Sequence, residues 1–475
     1  MGIKQDAIEG IVREVLQRLQ TETSNSQIAS PRVVSSTNGI FQTMEEAIAA
    51  ASRGYEKLGE ICLERRGHMI SAMREIIEAN AEKLAQLSVE ETGLGRVEHK
   101  LKKTLLAARK TPGMEVVRPT SFSGDHGLTL VEQAPYGVIG AITPSTNPSE
   151  TIISNGIGMI AAGNTVVFNC HPSAKRVSAM TVRLLNEAIT SVGGPANLLC
   201  MVEEPTKASA ETMMKDARVR MLVVTGGPEI VDIAMKTSGK KVIGAGPGNP
   251  PVVVDETANL KQAAKDIVDG ASFDNNVLCI AEKEVIVVDA VADQLMTLME
   301  DHGAYRLSRS QLDQLMEHIV ISSNGQPYVN RKFVGKDVQV VLGSIGLQVG
   351  SDKRLAIAEV PADHPLVYLE QLMPVLPIVR VPCVDRAIDL AYRAEQGNHH
   401  TAVMHSRNVD NLSRMARKMN TSIFVKNGPS YSGLGMFGEG FTSYTIASPT
   451  GEGVTSAASF TRQIRCVLKD HFRII

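Results

Sequence analysis

The sequence predicts an α/β protein in which two parallel-sheet units share one chain, and its patterning carries that prediction in three ways. Short β-rich runs alternate with helical segments after Pro112. A second alternating series runs from Glu284 to Val425, and no internal repeat relates the two. Two further stretches, Leu128 to Gln133 and Phe460 to Leu468, alternate polar and apolar residues as a strand with one solvated face does, and so form a separate edge sheet.

Taken in order, the chain begins with an amphipathic helix over residues 1–20. There Ile8, Ile11, Val12, Val15, Leu16 and Leu19 recur at helical spacing between Lys4, Glu9, Arg13, Glu14 and Arg18. Residues 21–40 are rich in Ser, Thr, Asn and Gln without apolar periodicity, which reads as a flexible linker. Such a helix can dock on its own chain or on another protein; the linker favours the second. From Thr43 to Arg109 the periodicity is helical. Strands are expected at Gly137 to Ile142, Thr165 to Phe168, Met221 to Val224 and Pro251 to Val254. The second series places them at Glu284 to Val288, Val375 to Arg380, Thr401 to His405 and Ser422 to Val425, with helices near Ala290 to Glu300, Val384 to Glu395 and Asn408 to Lys418.

Composition narrows the function. The chain, at 475 residues, has room for several domains. Its 49 Lys and Arg against 51 Asp and Glu give no net field for nucleic acid or an anionic membrane. Trp is absent and aromatic residues are only 4%, which removes the stacking platforms of single-strand binders. No run approaches the ~18 apolar residues of a membrane span, and the N-terminus lacks the apolar core of a secretory signal. Six cysteines without a Cys-x-x-Cys pair fit reduced thiols in a cytoplasmic setting.

Several motifs bear on chemistry. His399, His400, His405 and Cys383 lack metal-ligand spacing, so no metal site is expected. Neither a Walker A sequence nor a Gly-x-Ser-x-Gly elbow is present. Gly244, Gly246 and Gly248 (GAGPG) follow a strand, but Pro247 and Pro250 do not open the helix of a dinucleotide fingerprint, and a tight turn is favoured. Val223 to Pro228 (VVTGGP) ends a strand in Thr-Gly-Gly before a helix, where small residues admit a ligand and the helix N-terminus favours phosphate; a simple turn accounts for it equally well. Packing is the default account of Cys62, Cys200 and Cys466. Cys279 follows FDNNVL, an Asn-rich connection between a helix and a strand, where a thiol can face a cleft; a buried structural thiol is an equal reading of position alone.

Taken together, TPSTNP at 143–148, VVTGG at 223–227, GAGPGNPP at 244–251, ASFDNNVLC at 271–279, EQLMPVLP at 370–377 and GEGVTS at 451–456 resemble the aldehyde dehydrogenase superfamily, and within it the CoA-acylating branch of bacterial microcompartments. The resemblance covers nearly the whole chain. It implies a Rossmann-type cofactor domain at 41–124 and 136–244, an α/β catalytic domain at 245–435, and oligomerisation segments at 125–135 and 436–475 of a homodimer or homotetramer. It implies further that Cys279 attacks a small aldehyde, that a thioester forms on the enzyme as NAD is reduced, and that Asn147 and the Cys279 amide hold the oxyanion, with Thr146 as the alternative side chain. Thr143, Pro144, Thr225, Gly226, Gly227, Gly244, Ala245 and Gly246 would lie along the cofactor. Glu370 would contact the nicotinamide-side ribose, close to Pro374. The Lys and Glu with which many relatives grip the adenosine ribose map onto Asn169 and Pro172, so those contacts must differ, and Asn169 and His171 would also lie along the cofactor.

One departure from hydrolytic relatives is informative. Gly244 stands where they carry the glutamate that activates water, which removes the general base for making a free acid and leaves coenzyme A as the expected acceptor, in a pocket shared with NAD. By the same resemblance, the N-terminal helix would direct the enzyme to a microcompartment shell protein.

Overall fold

The computed structural model describes residues 38–323 and 326–475; the amphipathic segment and most of the linker fall outside the described residues. Six strands form the first sheet in the order Ile40–Phe41, Leu199–Val202, Thr165–Cys170, Val138–Thr143, Val219–Thr225, Lys241–Ala245, all parallel. Its centre is built of β-branched runs such as TVVFNC, buried throughout, as a parallel sheet covered on both faces requires. From Val138–Thr143 the chain winds outward to one side through Thr165–Cys170 and Leu199–Val202, then returns to the other through Val219–Thr225. The order therefore reverses beside Val138–Thr143, and the carboxyl ends of that strand and of Val219–Thr225 flank a crevice.

Ile40–Phe41 corrects the linker boundary expected at residue 40. Both residues are buried, because the open edge of Leu199–Val202 offers a ladder and an apolar floor to the first two apolar residues after Gly39. Next comes the Met44–Gly59 helix, opened by a capping box between Thr43 and Glu46. The expected helical stretch to Arg109 then resolves into Leu63–Thr92 and Val97–Lys110.

Seven parallel strands make the second sheet, in the order Ala304–Arg306, Leu355–Glu359, Val375–Val381, Glu284–Val288, Pro251–Val254, Thr401–His405, Ile423–Lys426. Pro251–Val254, Glu284–Val288 and Thr401–His405 fall at the expected residues. The two outermost strands at one edge, Ala304–Arg306 and Leu355–Glu359, went unanticipated, as did the Val320–Ser323 and Gln326–Val329 hairpin.

The two alternating stretches pair with each other. Gly127–Pro135 lies antiparallel between Thr120–Gly124 and Thr461–Lys469, the last in register over nine residues. This small sheet thus begins at Thr120, ahead of the expected residue 125, and presents Phe122, Ile464 and Val467 to solvent. Among the described residues no helix is long and apolar enough to cross a membrane.

Candidate active site

The Leu260–Ser272 helix stops short of the Glu284–Val288 strand, and Cys279 sits in the connection. Asp274, Asn275 and Asn276 all adopt positive φ, at 50°, 52° and 65°. Among non-glycine residues Asp and Asn tolerate this conformation best, which is why the loop reads Asp-Asn-Asn. Each is pinned by its side chain. Asp274 Oδ1 accepts the Arg96 amide at 2.9 Å, and Asp274 Oδ2 takes the ammonium of Lys103 and, at 3.1 Å, that of Lys100. Asn275 Nδ2 donates to the Gly335 carbonyl and to Asp337 Oδ1. Asn276 Nδ2 donates to the Ala271 and Glu282 carbonyls, while Lys283 Nζ donates to Asn276 Oδ1, to its carbonyl at 3.1 Å and to the Leu278 carbonyl at 3.2 Å.

Three fully buried lysines therefore shape the segment ahead of the thiol. Burial lowers Lys103 and Lys283 to about 8. His99 completes the clamp: burial keeps its imidazole near 4 and hence neutral, so Nδ1 accepts the Asp274 amide at 2.9 Å while the ring stacks on Phe273 at 4.5 Å. Gly95 admits Asp274, since a Cβ there would stand 2.0 Å from Oδ1.

Cys279 is half-buried, whereas the six residues before it are buried. Burial, then the Glu370 carboxylate, push its thiol up to about 12, and Lys283 and Lys103 oppose them. Its backbone amide donates to no carbonyl among the described residues and lies against its own sulfur, which it helps to hold down. Glu370 is itself raised by burial, held down by Lys283 and the Gly248 amide. A Cβ on Gly248 would meet the Cys279 carbonyl at 2.6 Å and the His400 ring at 3.0 Å, so glycine is required for these three segments to converge. His400 is buried and shifted to about 4 by burial and by Lys283; its amide donates to Glu395 Oε1 at 2.8 Å. Gly248, Lys283, Glu370 and His400 all lie just before strands of the second sheet. Cys279 therefore sits at the amino ends of that sheet, opposite the carboxyl-end crevice of the first.

Asn147 comes from the first sheet. It is the N-cap residue of the Pro148–Ala161 helix, yet its side chain makes no cap hydrogen bond, forgoing roughly 1 kcal/mol. Instead Oδ1 accepts from Lys103 Nζ at 2.6 Å, and Nδ2 reaches Thr146 Oγ1 at 3.3 Å. Thr146 is tied through its carbonyl to Lys100. The structure thus brings Asn147, Thr146 and the Cys279 loop to one ionic cluster.

The edge around Thr225 and Gly227 is built differently. Thr225 ends its strand with Oγ1 2.9 Å from Thr445 Oγ1, and Gly227 caps the Pro228–Thr237 helix without a side-chain bond. A Cβ on Gly227 would touch nothing within 4 Å, so a phosphate can approach the helix N-terminus closely. Beside it, Pro228, Gly246, Pro247, His399 and Pro449 line a cavity of about 300 Å³. Open amides and a cavity on one crevice fit a dinucleotide. Gly244 and Ala245 are the buried end of Lys241–Ala245; a side chain at 244 would run into Val231 Cγ1 at 2.6 Å, leaving no room there for a carboxylate arm.

Other expected contacts are less open. Thr143 and Pro374 are buried, the latter with its carbonyl in a sheet bond to Ala356; Pro144 is half-buried. The Asn169 side chain is engaged by Ser209 and the Thr206 carbonyl. His171 is exposed just after the same strand, its imidazole lowered by the partial loss of solvent around the ring and by Arg331. Cys200 is buried as expected, but Cys62 and Cys466 are exposed, because the first caps a surface helix and the second lies on the outer strand.

Sequence reasoning missed Lys100, Lys103, Asp274 and Lys283. Lys100, Lys103, Thr104 and Ala107 do have the spacing of one helical stripe, which the structure buries, but residues of this type at that spacing ordinarily face water.

Comparison with known proteins agrees with this geometry. The aldehyde dehydrogenase family pattern matches residues 32–441. The chain is 49% identical to acetaldehyde dehydrogenase (acetylating) of Salmonella typhimurium over 475 residues, covering 100% of both chains. It superposes on a propionaldehyde dehydrogenase of Rhodopseudomonas palustris with bound propionyl-CoA at TM-score 0.89 and 49% identity, covering 91% of this chain and 96% of that one. A propionaldehyde dehydrogenase from the Clostridium phytofermentans fucose utilisation bacterial microcompartment matches at TM-score 0.90 and 49% identity, over 92% and 100% of the two chains. With the expected two-sheet architecture in place and the match spanning most of its length, the chain belongs to the aldehyde dehydrogenase family.

Proposed function

We propose that this enzyme oxidises a short-chain aldehyde, acetaldehyde or propionaldehyde, and passes the acyl group to coenzyme A. Once its thiol proton has passed to solvent, the Cys279 sulfur bonds to the aldehyde carbon, giving a thiohemiacetal whose oxyanion receives the Cys279 amide and Asn147 Nδ2. NAD, which Thr225 to Gly227 and Glu370 would hold, would accept the hydride that the thiohemiacetal carbon gives up. Loss of hydride from the carbon leaves a thioester on Cys279, and the CoA thiol then displaces the Cys279 thiolate, so the acyl bond energy is retained. Entry of CoA after the reduced dinucleotide leaves would let both use the crevice beside Gly227.

The observation that carries the choice of acceptor is Gly244, where no carboxylate arm can be housed without moving Val231. The names of the relatives, an acetylating dehydrogenase and one with propionyl-CoA bound, support it. Product measured with and without CoA is the test: acyl-CoA should form, and substantial free acid in the absence of CoA would overturn the reading.

The likeness to a microcompartment enzyme supports residues 1–20 as a shell-directed segment, and the exposed Phe122, Ile464 and Val467 support the Thr120–Gly124, Gly127–Pro135 and Thr461–Lys469 sheet as a homodimer or homotetramer contact. Deleting the segment should abolish co-encapsulation; a truncated enzyme that packages normally would refute it.

A further inference from the structure

We propose that Lys103 is a positioning residue for aldehyde oxidation: its ammonium turns the Asn147 carboxamide so that the NH2 end faces the reacting oxygen, and Asp274 ties that amide to the Cys279 loop. The inference rests on Asn147 being the oxyanion donor.

A side-chain amide can bind a developing oxyanion only with its nitrogen end, and nothing in an amide's shape selects that end. Lys103 selects it by charge. An ammonium has three donors and no acceptor, so the 2.6 Å contact from Nζ can hold only Asn147 Oδ1, leaving Nδ2 turned away with a single 3.3 Å neighbour in Thr146 Oγ1. Asn147 gives up the cap its position would otherwise supply, so the helix does not fix this rotamer; Lys103 does.

The same ammonium pairs with Asp274, five residues before the nucleophile in the positive-φ run. Donor and nucleophile come from different sheets, and this ammonium bonds to side chains of both. Lys100, one turn earlier on the Val97–Lys110 helix, bonds the Thr146 carbonyl and keeps a contact to Asp274 of its own. Replacing Lys103 therefore leaves Asp274 neutralised. The Tyr444 hydroxyl donates to the Lys103 carbonyl at 3.1 Å, fixing the helix segment that carries the side chain.

The experiment reads the single-turnover rate of NADH formation at saturating propionaldehyde and NAD in Lys103→Met, Asn147→Ala and the double variant, with a melting curve for each. Asn147→Ala should lose about 10²-fold or more. Lys103→Met should lose about 10²-fold at nearly unchanged KM, as a misplaced catalytic group does. The double variant should be no slower than Asn147→Ala alone, because Lys103 acts through Asn147. Full activity in Lys103→Met, or losses that multiply in the double variant, would overturn the proposal. Lys103→Gln, which keeps an N–H for Asn147 Oδ1, should recover part of the rate and serves if the Met variant does not fold; a folded Gln variant as slow as Asn147→Ala would also overturn it. Full activity in Asn147→Ala sinks the oxyanion assignment instead, and is told apart by that single variant.

Discussion

Two walls of the same crevice are held by opposite means. On the nucleophile side, buried charges on Lys100, Lys103, Lys283 and Asp274 fix a loop of unfavourable backbone residue by residue. On the cofactor side, Gly226, Gly227 and Gly246 present backbone and little else. The difference teaches what each wall must do. Attack on a carbonyl needs atoms placed to a fraction of an ångström, so that wall is rigid and expensive in desolvation. The other wall, which we propose accepts two ligands in turn, would gain from generic amide donors and open space and lose from side chains shaped to one of them.

The largest effect that would break the comparison is at the nucleophile itself. Cys279→Ala should abolish NADH formation while leaving the melting temperature close to that of the parent; retained turnover would remove the rigid wall's purpose. Next, Gly248→Ala forces a methyl against the Cys279 carbonyl and His400, and should lower kcat by about 10²-fold with little change in the KM for NAD. An equal rise in KM would show that the two walls are not separable.

Gly227→Asp probes the other side. Its side chain meets no neighbour, so folding should be unaffected, but a carboxylate at the helix N-terminus competes with phosphate at a cost of about 1 kcal/mol or more. Steady-state kinetics should show KM rising several-fold for NAD and for CoA alike; a rise for only one would argue against a shared crevice. Glu370→Gln is the smallest and most diagnostic change. The Glu370 carboxylate helps to push the Cys279 thiol up, so its removal should move the pH profile of iodoacetamide labelling toward lower pH. A shift toward higher pH would contradict the electrostatic arrangement.

The same contrast explains what could be read in the sequence. Continuous apolar strands such as Pro251–Val254 and Glu284–Val288 announced themselves, because a doubly covered parallel strand has no alternative use for such residues. Ile40–Phe41 and Ala304–Arg306 did not, because strands of two or three residues at a sheet edge carry no periodicity and are made by the partner they find. The Asn-rich approach alone leaves Cys279 an equal chance of being a structural thiol, and only the family resemblance singles it out; the positive-φ backbone gives that composition its reason. Lys100, Lys103 and Lys283 were not legible, because lysines in runs such as HKLKK and EKE ordinarily face water. Only the tertiary contact with Asp274 and the loop carbonyls turns them into interior groups.

The run of positive φ through Asp274, Asn275 and Asn276 has a further consequence for motion. None of the three can relax alone, since each relaxation breaks a bond to a different element: the Val97–Lys110 helix, the segment around Gly335, or Lys283. Loosening by degrees is thereby denied to the segment, which must open as one cooperative unit or remain shut. In hydrogen–deuterium exchange, the amides from Asp274 to Cys279 should accordingly lose protection together, with a single opening free energy, while the glycine-lined wall across the crevice exchanges position by position.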